Sequence, residues 1–135
     1  MVTINGEYQG ELHCTATHGP SGTRLATDAP KDNQGKGESF SPTDLVATAL
    51  ATCIATTMAL AARPHGVDLT GLRYEVTKEM SADLPRRISR LVVRLTMPPA
   101  ARNAPAGLLE RAAHACPVTQ SLAPGVESVL HFHWE

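Results

Sequence analysis

The chain has 135 residues, an apolar fraction of 42% and a formal net charge of -1, which predict a single globular domain over residues 1–135. The nearly balanced charge, without a basic stripe that interleaves aromatic residues, argues against a nucleic-acid-binding protein. Because three cysteines are too few for a disulfide framework and the first residues lack the basic and apolar segments of a signal peptide, we predict a cytoplasmic protein with reduced thiols.

Three short strands are predicted in the N-terminal part of the chain. Residues 2–8, 12–18 and 23–28 are rich in β-branched residues and are separated by glycines, a pattern that favours strands joined by turns. Residues 29–39 are polar and rich in glycine, which predicts a loop. This loop leads into the most apolar part of the sequence.

The segment FSPTDLVATALATC predicts the start of a long helix. Ser41 suits the N-cap, Pro42 suits the first helical position, and Asp44 follows Ser41 at the spacing of a capping box. No charged residue lies between Asp44 and Arg63, and the sequence RPHG ends the run. A helix that is apolar on all sides either spans a membrane or lies in a core. Because the run is rich in alanine and threonine and lacks an orienting basic cluster, we predict a central buried helix and no membrane association.

Strands and short helices alternate in the second half of the chain. Residues 72–80 and 90–97 alternate polar and apolar residues, which predicts two antiparallel strands joined by a hairpin loop. A short helix is predicted for residues 105–115, another for the sequence PVTQSL, and a closing strand for residues 128–134. This order predicts an α+β fold in which antiparallel sheets surround the long helix.

Two cysteines lie in contexts that indicate chemistry. Cys53 lies about three turns into the long helix, where a buried thiol is often only a small packing residue. Cys116 precedes Pro117, which disfavours helical backbone at Cys116 and suits the first position of the helix PVTQSL. Backbone N–H groups beside such an N-cap would favour the thiolate form of Cys116. Cys14 lies in a predicted strand and is interpreted as a packing residue.

The sequences GKGESFSPTDLVATALATC and ERAAHACPVTQSL, with the ending FHW, resemble the OsmC/Ohr family over nearly the whole chain. This resemblance implies an intertwined homodimer with two active sites at the subunit interface. It also implies a thiol peroxidase for organic hydroperoxides, with Cys53 as the peroxidatic and Cys116 as the resolving cysteine. The two cysteines would form a disulfide, which a dithiol reductant of lipoyl type or a small thiol would reopen. No cofactor is expected.

The sequence departs from the best-characterised peroxidases of that family beside Cys53. Those carry a glutamate ten residues before the peroxidatic cysteine, paired with an arginine that stabilises the thiolate, and here that position is Thr43. Asp44 follows, and we interpret it as a helix cap rather than an acid–base group. In the region that aligns with the arginine of those peroxidases, the candidate residue of this chain is His13. Arg24 is either a solvated strand residue or the arginine that stabilises the thiolate of Cys53. These four residues are the candidate supporting residues, and the chain is most similar to the wider OsmC-like group.

Two classes of function remain open. One is a two-cysteine thiol peroxidase that acts in oxidative-stress defence. The other is a binding module that holds a small apolar or thiol-reactive ligand at the dimer interface without efficient turnover. His131 and His133 share a strand face, but no third ligand follows at a recognisable spacing, so we predict no metal site. The expected partners are a second copy of the chain, an organic hydroperoxide and a thiol reductant.

Overall fold

The structure is a computed structural model that describes residues 1–135. The chain forms two compact units, Met1–Val46 and Ala47–Glu135. Each unit has its own three-stranded sheet. The organisation of residues 1–135 as one domain stays a prediction. Within each unit, the strands and helices lie close to the positions that the sequence predicts.

The first unit contains an antiparallel sheet of three strands. These are β1 (Ile4–Tyr8), β2 (His13–His18) and β3 (Arg24–Asp28), and β2 lies in the centre. In the register of β2 and β3, His13 lies opposite Asp28. All the predicted N-terminal strands are confirmed, and each begins one or two residues later than predicted.

The connection between β1 and β2 has an unusual backbone conformation. Gly10, Glu11 and Leu12 all have positive φ, at 84°, 53° and 60°. Glycine adopts this region readily, whereas residues with a side chain adopt it rarely. The His13 N–H donates to the Gly10 carbonyl oxygen at 3.0 Å and closes the turn. This turn fixes the point at which His13 enters the sheet.

Helix α1 (Pro42–Ala62) begins where the sequence predicts. The Asp44 N–H donates to Ser41 Oγ at 3.0 Å, and Asp44 Oδ2 accepts the Ser41 N–H at 2.9 Å. This reciprocal pair is a capping box, so Asp44 has the capping role that the sequence indicated. The helix passes into a 3-10 turn, Arg63–His65, and Gly66 ends it with φ 69°.

In a single chain, helix α1 is buried along one face. Its buried residues recur at spacings of three and four, which forms one stripe along the helix. Thr56 and Leu60 are exposed, and Leu60 reaches 58% exposure although it is apolar. The prediction of a buried helix therefore holds for one face, and the other face is only partly covered by the chain itself. The buried residues are Ala47, Leu50, Ala51, Ile54, Met58 and Ala62.

By length and composition alone, helix α1 with its 3-10 extension is also apolar enough to cross a membrane. Core helices of soluble proteins meet the same criterion, so this is weak support for a membrane span. The absence of membrane association stays a prediction.

The sheet of the second unit is mixed. Strand β4 (Arg73–Met80) pairs antiparallel with β5 (Ile88–Met97), as the sequence predicts. Strand β6 (Glu127–Trp134) pairs parallel with β5 on its other side. The expectation of purely antiparallel sheets is therefore wrong for β6.

A helical crossover explains the parallel pairing. Residues 98–126 carry a 3-10 turn, Pro99–Asn103, and the helices α2 (Leu108–His114) and α3 (Pro117–Ser121). Parallel neighbours need such a long connection, because the chain must return to the same end of the sheet, whereas antiparallel neighbours need only a tight turn. Cys116 lies inside this crossover, between α2 and α3.

The core of the second unit joins the buried stripe of α1 to strand β5 and to the crossover. Four residues of β5 are completely buried and alternate along the strand, and Cys116 belongs to the same cluster. The buried residues from β5 are Leu91, Val93, Leu95 and Met97, and those from the crossover besides Cys116 are Ala101, Leu109 and Ala113.

Ser41→Ala is expected to lower the free energy of unfolding by about 1 kcal/mol, because it removes the acceptor of the Asp44 N–H at a residue that is only 1% exposed. Urea denaturation followed by far-ultraviolet circular dichroism measures this loss. Thr3→Ala is the control, since it removes a hydroxyl from an exposed residue outside the helices, and it should stay within about 0.5 kcal/mol of the wild type. Equal losses in both variants would contradict the capping role of Ser41.

Candidate active site

Cys116 is completely buried at the start of α3. Its exposed fraction is 0%, and its extended backbone, with φ −63° and ψ 144°, is the conformation that a following proline favours. Cys116 Sγ accepts the Thr119 N–H at 3.4 Å, and Thr119 Oγ1 lies 3.0 Å from the same sulfur. The predicted N-cap position is confirmed. Thr119 is not among the residues predicted from the sequence, although the third residue after an N-cap is a usual donor to the capping side chain.

Cys53 lies in the middle of α1 and is partly buried. It packs against the same apolar cluster to which Cys116 belongs. Cys53 Sγ lies 3.9 Å from Thr57 Oγ1, one turn further along the helix. The expectation that Cys53 is shielded from water is therefore only partly met in a single chain. The two thiols border one core, with Cys116 inside it and Cys53 at its edge.

Cys14 lies in β2, in the first unit, and is exposed. In the strand registers it lies opposite Tyr8 and Thr27. Its interpretation as a packing residue is wrong for this chain, because the burial of strand residues cannot be read from one position in a short polar strand. All three cysteines are free thiols, so experiments on Cys53 and Cys116 must first remove Cys14.

His13 contacts a buried carboxylate in the first unit. Asp28 is 3% exposed, and its Oδ1 lies 2.6 Å from His13 Nδ1. Its other oxygen, Oδ2, accepts the Glu38 N–H at 3.1 Å. His13 is a predicted supporting residue but Asp28 is not, because these residues become neighbours only through the pairing of β2 with β3. Asp28 therefore connects strand β2, through His13, to the loop after β3, through Glu38.

A polar cleft of about 310 Å³ borders His13. Imidazole, carboxylate, amide and ammonium groups line it, which makes it unlike an apolar pocket for an organic molecule. No group of three or more histidine, cysteine, aspartate or glutamate side chains in the chain could hold a metal ion. The lining residues are Gln9, Gly10, Glu11, His13, Asp28, Lys36 and Glu38.

The other predicted supporting residues also lie in the first unit. Thr43 Oγ1 lies 3.1 Å from Ser41 Oγ, beside the capping contacts of Asp44. Arg24 is the first residue of β3, lies opposite Thr17 and is exposed. Catalytic support by Thr43, Asp44, Arg24 or His13 stays a prediction.

Residues 35–130 match the family that is described as OsmC-like protein. The chain belongs to the OsmC-like family. A solved structure from Psychrobacter arcticus, of a protein named for osmotic stress induction and detoxification response, is 40% identical to this OsmC-like chain, with a TM-score of 0.87. The match covers 98% of this chain and 96% of that chain. No curated protein matches the sequence.

More distant solved structures share the OsmC-like fold. An organic hydroperoxide resistance protein from Legionella pneumophila is 13% identical, with a TM-score of 0.76, and the match covers 98% of this chain and 96% of that chain. A Vibrio cholerae protein, named for organic hydroperoxide resistance and with captopril bound in one of its active sites, is 16% identical with a TM-score of 0.76. That match covers 98% of this chain and 90% of that chain. The α+β fold with its long helix is therefore the fold of this family.

Proposed function

We propose that this OsmC-like protein is a thiol-dependent peroxidase that reduces organic hydroperoxides and that Cys53 and Cys116 are its reacting pair. The observation that carries the proposal is that both thiols belong to one apolar core, with Cys116 fully buried within it and Cys53 partly buried at its edge. Apolar surroundings suit the organic part of such a peroxide. Fold relatives that are named for organic hydroperoxide resistance support this class of reaction.

The reaction follows from the thiol chemistry of the two cysteines. The Cys53 thiolate attacks the outer oxygen of the hydroperoxide, so that an S–O bond forms, the O–O bond breaks and the alcohol leaves with a proton. The thiolate of Cys116 then attacks the sulfenic sulfur, so that an S–S bond forms, the S–O bond breaks and the hydroxide that leaves takes up a proton to become water. A dithiol of lipoyl type, or two small thiols, reduces this disulfide and is itself oxidised. Cys53 suits the attacking role because a peroxide can reach it without entering the core.

Rapid mixing of the reduced protein with one equivalent of cumene hydroperoxide tests the proposal. In the Cys14→Ser background, two thiols per chain should disappear, and they should disappear faster than with hydrogen peroxide. Because Thr43 stands where the best-characterised peroxidases carry glutamate, we expect a modest rate. Thiols that survive one equivalent of cumene hydroperoxide would contradict the peroxidase.

A second candidate is a binding module without efficient turnover. Thr43 in place of the glutamate favours it. The Vibrio cholerae relative with captopril in one of its active sites is an example of a small organic ligand bound at such a site. Such a module would bind cumyl alcohol or captopril in calorimetry while its thiols persist in the presence of hydroperoxide. The same rapid-mixing experiment therefore separates the two functions.

The proposal includes a homodimer in a reducing cytoplasm. The exposed Leu60 of α1 supports a covering partner, and the same side of the helix borders an open cavity of about 360 Å³. The lining of this cavity mixes apolar residues, such as Ala59 and Leu72, with polar ones, such as Arg63 and Asp68. A surface of this kind on a single chain marks an interaction site, and a second copy is the partner that the family resemblance implies.

Light scattering at micromolar concentration should therefore give about twice the chain mass of 14.3 kDa. The end of α1 that carries Leu60 would be buried in that dimer, while Cys53 would stay open to the active site at the interface, so dilution should not release a folded monomer. Far-ultraviolet circular dichroism of the same samples is the control for folding. A stable monomer with a native spectrum would contradict the obligate dimer.

A further inference from the structure

We infer that the reductant attacks the sulfur of Cys53 in the Cys53–Cys116 disulfide and that Cys116 leaves as a thiolate positioned by Thr119. This inference rests on the proposed function, because it concerns the disulfide formed there. It assigns different roles to the two sulfurs in the reductive half of the cycle and a positioning role to Thr119.

The exposure of the two sulfurs is unequal. Cys116 is 0% exposed and belongs to the apolar core, whereas Cys53 packs at the edge of that core and is partly exposed. Thiol–disulfide exchange requires an attacking thiolate to approach one sulfur of the disulfide, so access helps to decide which sulfur is attacked. An approach to Cys116 would require the core to open, whereas an approach to Cys53 would not.

The two sulfurs also differ in their hydrogen bonds: the less accessible sulfur, that of Cys116, has more and shorter ones. Cys116 Sγ has the Thr119 N–H at 3.4 Å and the Thr119 hydroxyl at 3.0 Å. Cys53 Sγ has one longer contact, to the Thr57 hydroxyl at 3.9 Å. A leaving thiolate departs faster when donors stabilise its charge, and hydrogen bonds to charged groups are stronger than those to neutral ones. Thr119 therefore stabilises the thiolate of Cys116, which is also the leaving group expected from the difference in exposure.

The exchange consists of two balanced steps. The first thiolate of a dithiol reductant forms an S–S bond to Cys53, the Cys53–Cys116 bond breaks, and Cys116 leaves with the electron pair. The second thiol of the reductant then displaces the Cys53 thiolate and closes the oxidised reductant into a disulfide. The protein gains two electrons, the dithiol loses two, and both cysteines take up their protons.

A monothiol pulse identifies the attacked sulfur. The disulfide is formed with diamide in the Cys14→Ser protein, so that no peroxide activity is needed. A limiting pulse of glutathione is followed by alkylation with excess N-ethylmaleimide in denaturant, because Cys116 is enclosed in the folded core. A monothiol is used because a dithiol would cyclise and leave no adduct. Peptide mass spectrometry should find glutathione on Cys53 and maleimide on Cys116.

Two results of this experiment would overturn the inference. Glutathione on Cys116, or equally on both residues, would remove the assigned asymmetry. Failure of diamide to link Cys53 to Cys116 would also overturn it. By contrast, a disulfide that forms with diamide but not with hydroperoxide would count against the peroxidase alone.

Substitution of Thr119 separates its positioning role from a structural one. Thr119→Val should slow reduction of the disulfide roughly three- to tenfold and leave the oxidation of Cys53 by cumene hydroperoxide unchanged, because only the leaving thiolate loses a hydrogen bond. Thr119→Ser should restore the rate. Thr52→Val is the matched control, since the Thr52 hydroxyl contacts only backbone carbonyls of α1. An unchanged reduction rate in Thr119→Val, or equal slowing of both steps, would exclude the role.

Discussion

Cys53→Ser is expected to lower the consumption of cumene hydroperoxide by roughly a hundredfold or more, because it removes the only attacking thiol that the proposal allows and leaves Cys116 enclosed in the core. The measurement is the rate of peroxide loss in the Cys14→Ser background. The residual rate should not exceed that of a free thiol such as cysteine in solution. Cys53→Ala serves as a control for any effect of the serine hydroxyl in the apolar cluster.

The partner variant, Cys116→Ser, should separate oxidation from disulfide formation. Because no second thiol can close on the oxidised Cys53, one sulfenic acid per chain should form and persist, or oxidise further. Trapping with dimedone after a one-equivalent pulse, followed by mass spectrometry, locates it. Rapid formation of a sulfenic acid on Cys116 in the Cys53→Ser protein would reverse the two roles.

Asp28→Ala is expected to lower the free energy of unfolding by about 2–3 kcal/mol. The substitution leaves the Glu38 N–H and the ring of His13 without their acceptor at a residue that is only 3% exposed. Because His13 itself is partly exposed, we expect less than the loss for a fully buried charge pair. Urea denaturation measures the loss, and Asp28→Asn should lose less because its amide oxygen still accepts a hydrogen bond.

A double-mutant cycle isolates the contact between His13 and Asp28. If the 2.6 Å contact stabilises the first unit, the losses of His13→Ala and Asp28→Ala should not add, and the coupling energy should reach about 1 kcal/mol. Additive losses would show that Asp28 acts only through the Glu38 N–H. Peroxide consumption by His13→Ala tests at the same time whether His13 supports the thiolate of Cys53.

The ends of the helices were predictable from local chemistry. Ser41 and Asp44 form the capping box that their spacing indicates, and Pro117 places Cys116 at the N-cap of α3. Such features depend on neighbours within one helical turn, so the sequence carries them directly. The alternation of polar and apolar residues predicted both β4 and β5 for a similar reason.

Contacts between distant residues could not be predicted in this way. Alternation gives the faces of a strand but not the direction of its neighbour, so the parallel pairing of β6 was missed. The contact of His13 with Asp28 depends on a strand register, which no local pattern specifies. The partial exposure of Cys53 depends on what covers α1, and a single chain leaves one face of that helix only partly covered.

The crossover between β5 and β6 has a consequence for the order of folding. The β4–β5 hairpin closes over a short loop, whereas pairing of β6 with β5 must close the loop of residues 98–126. Pairing over a long separation is slow, because the entropy of closing the loop must be overcome first. Cys116 lies within that late segment, so a newly made or refolding chain exposes it as an ordinary solvent thiol. Oxidants that meet the chain at that time would modify the cysteine that the finished core encloses, and refolding therefore calls for a reducing buffer.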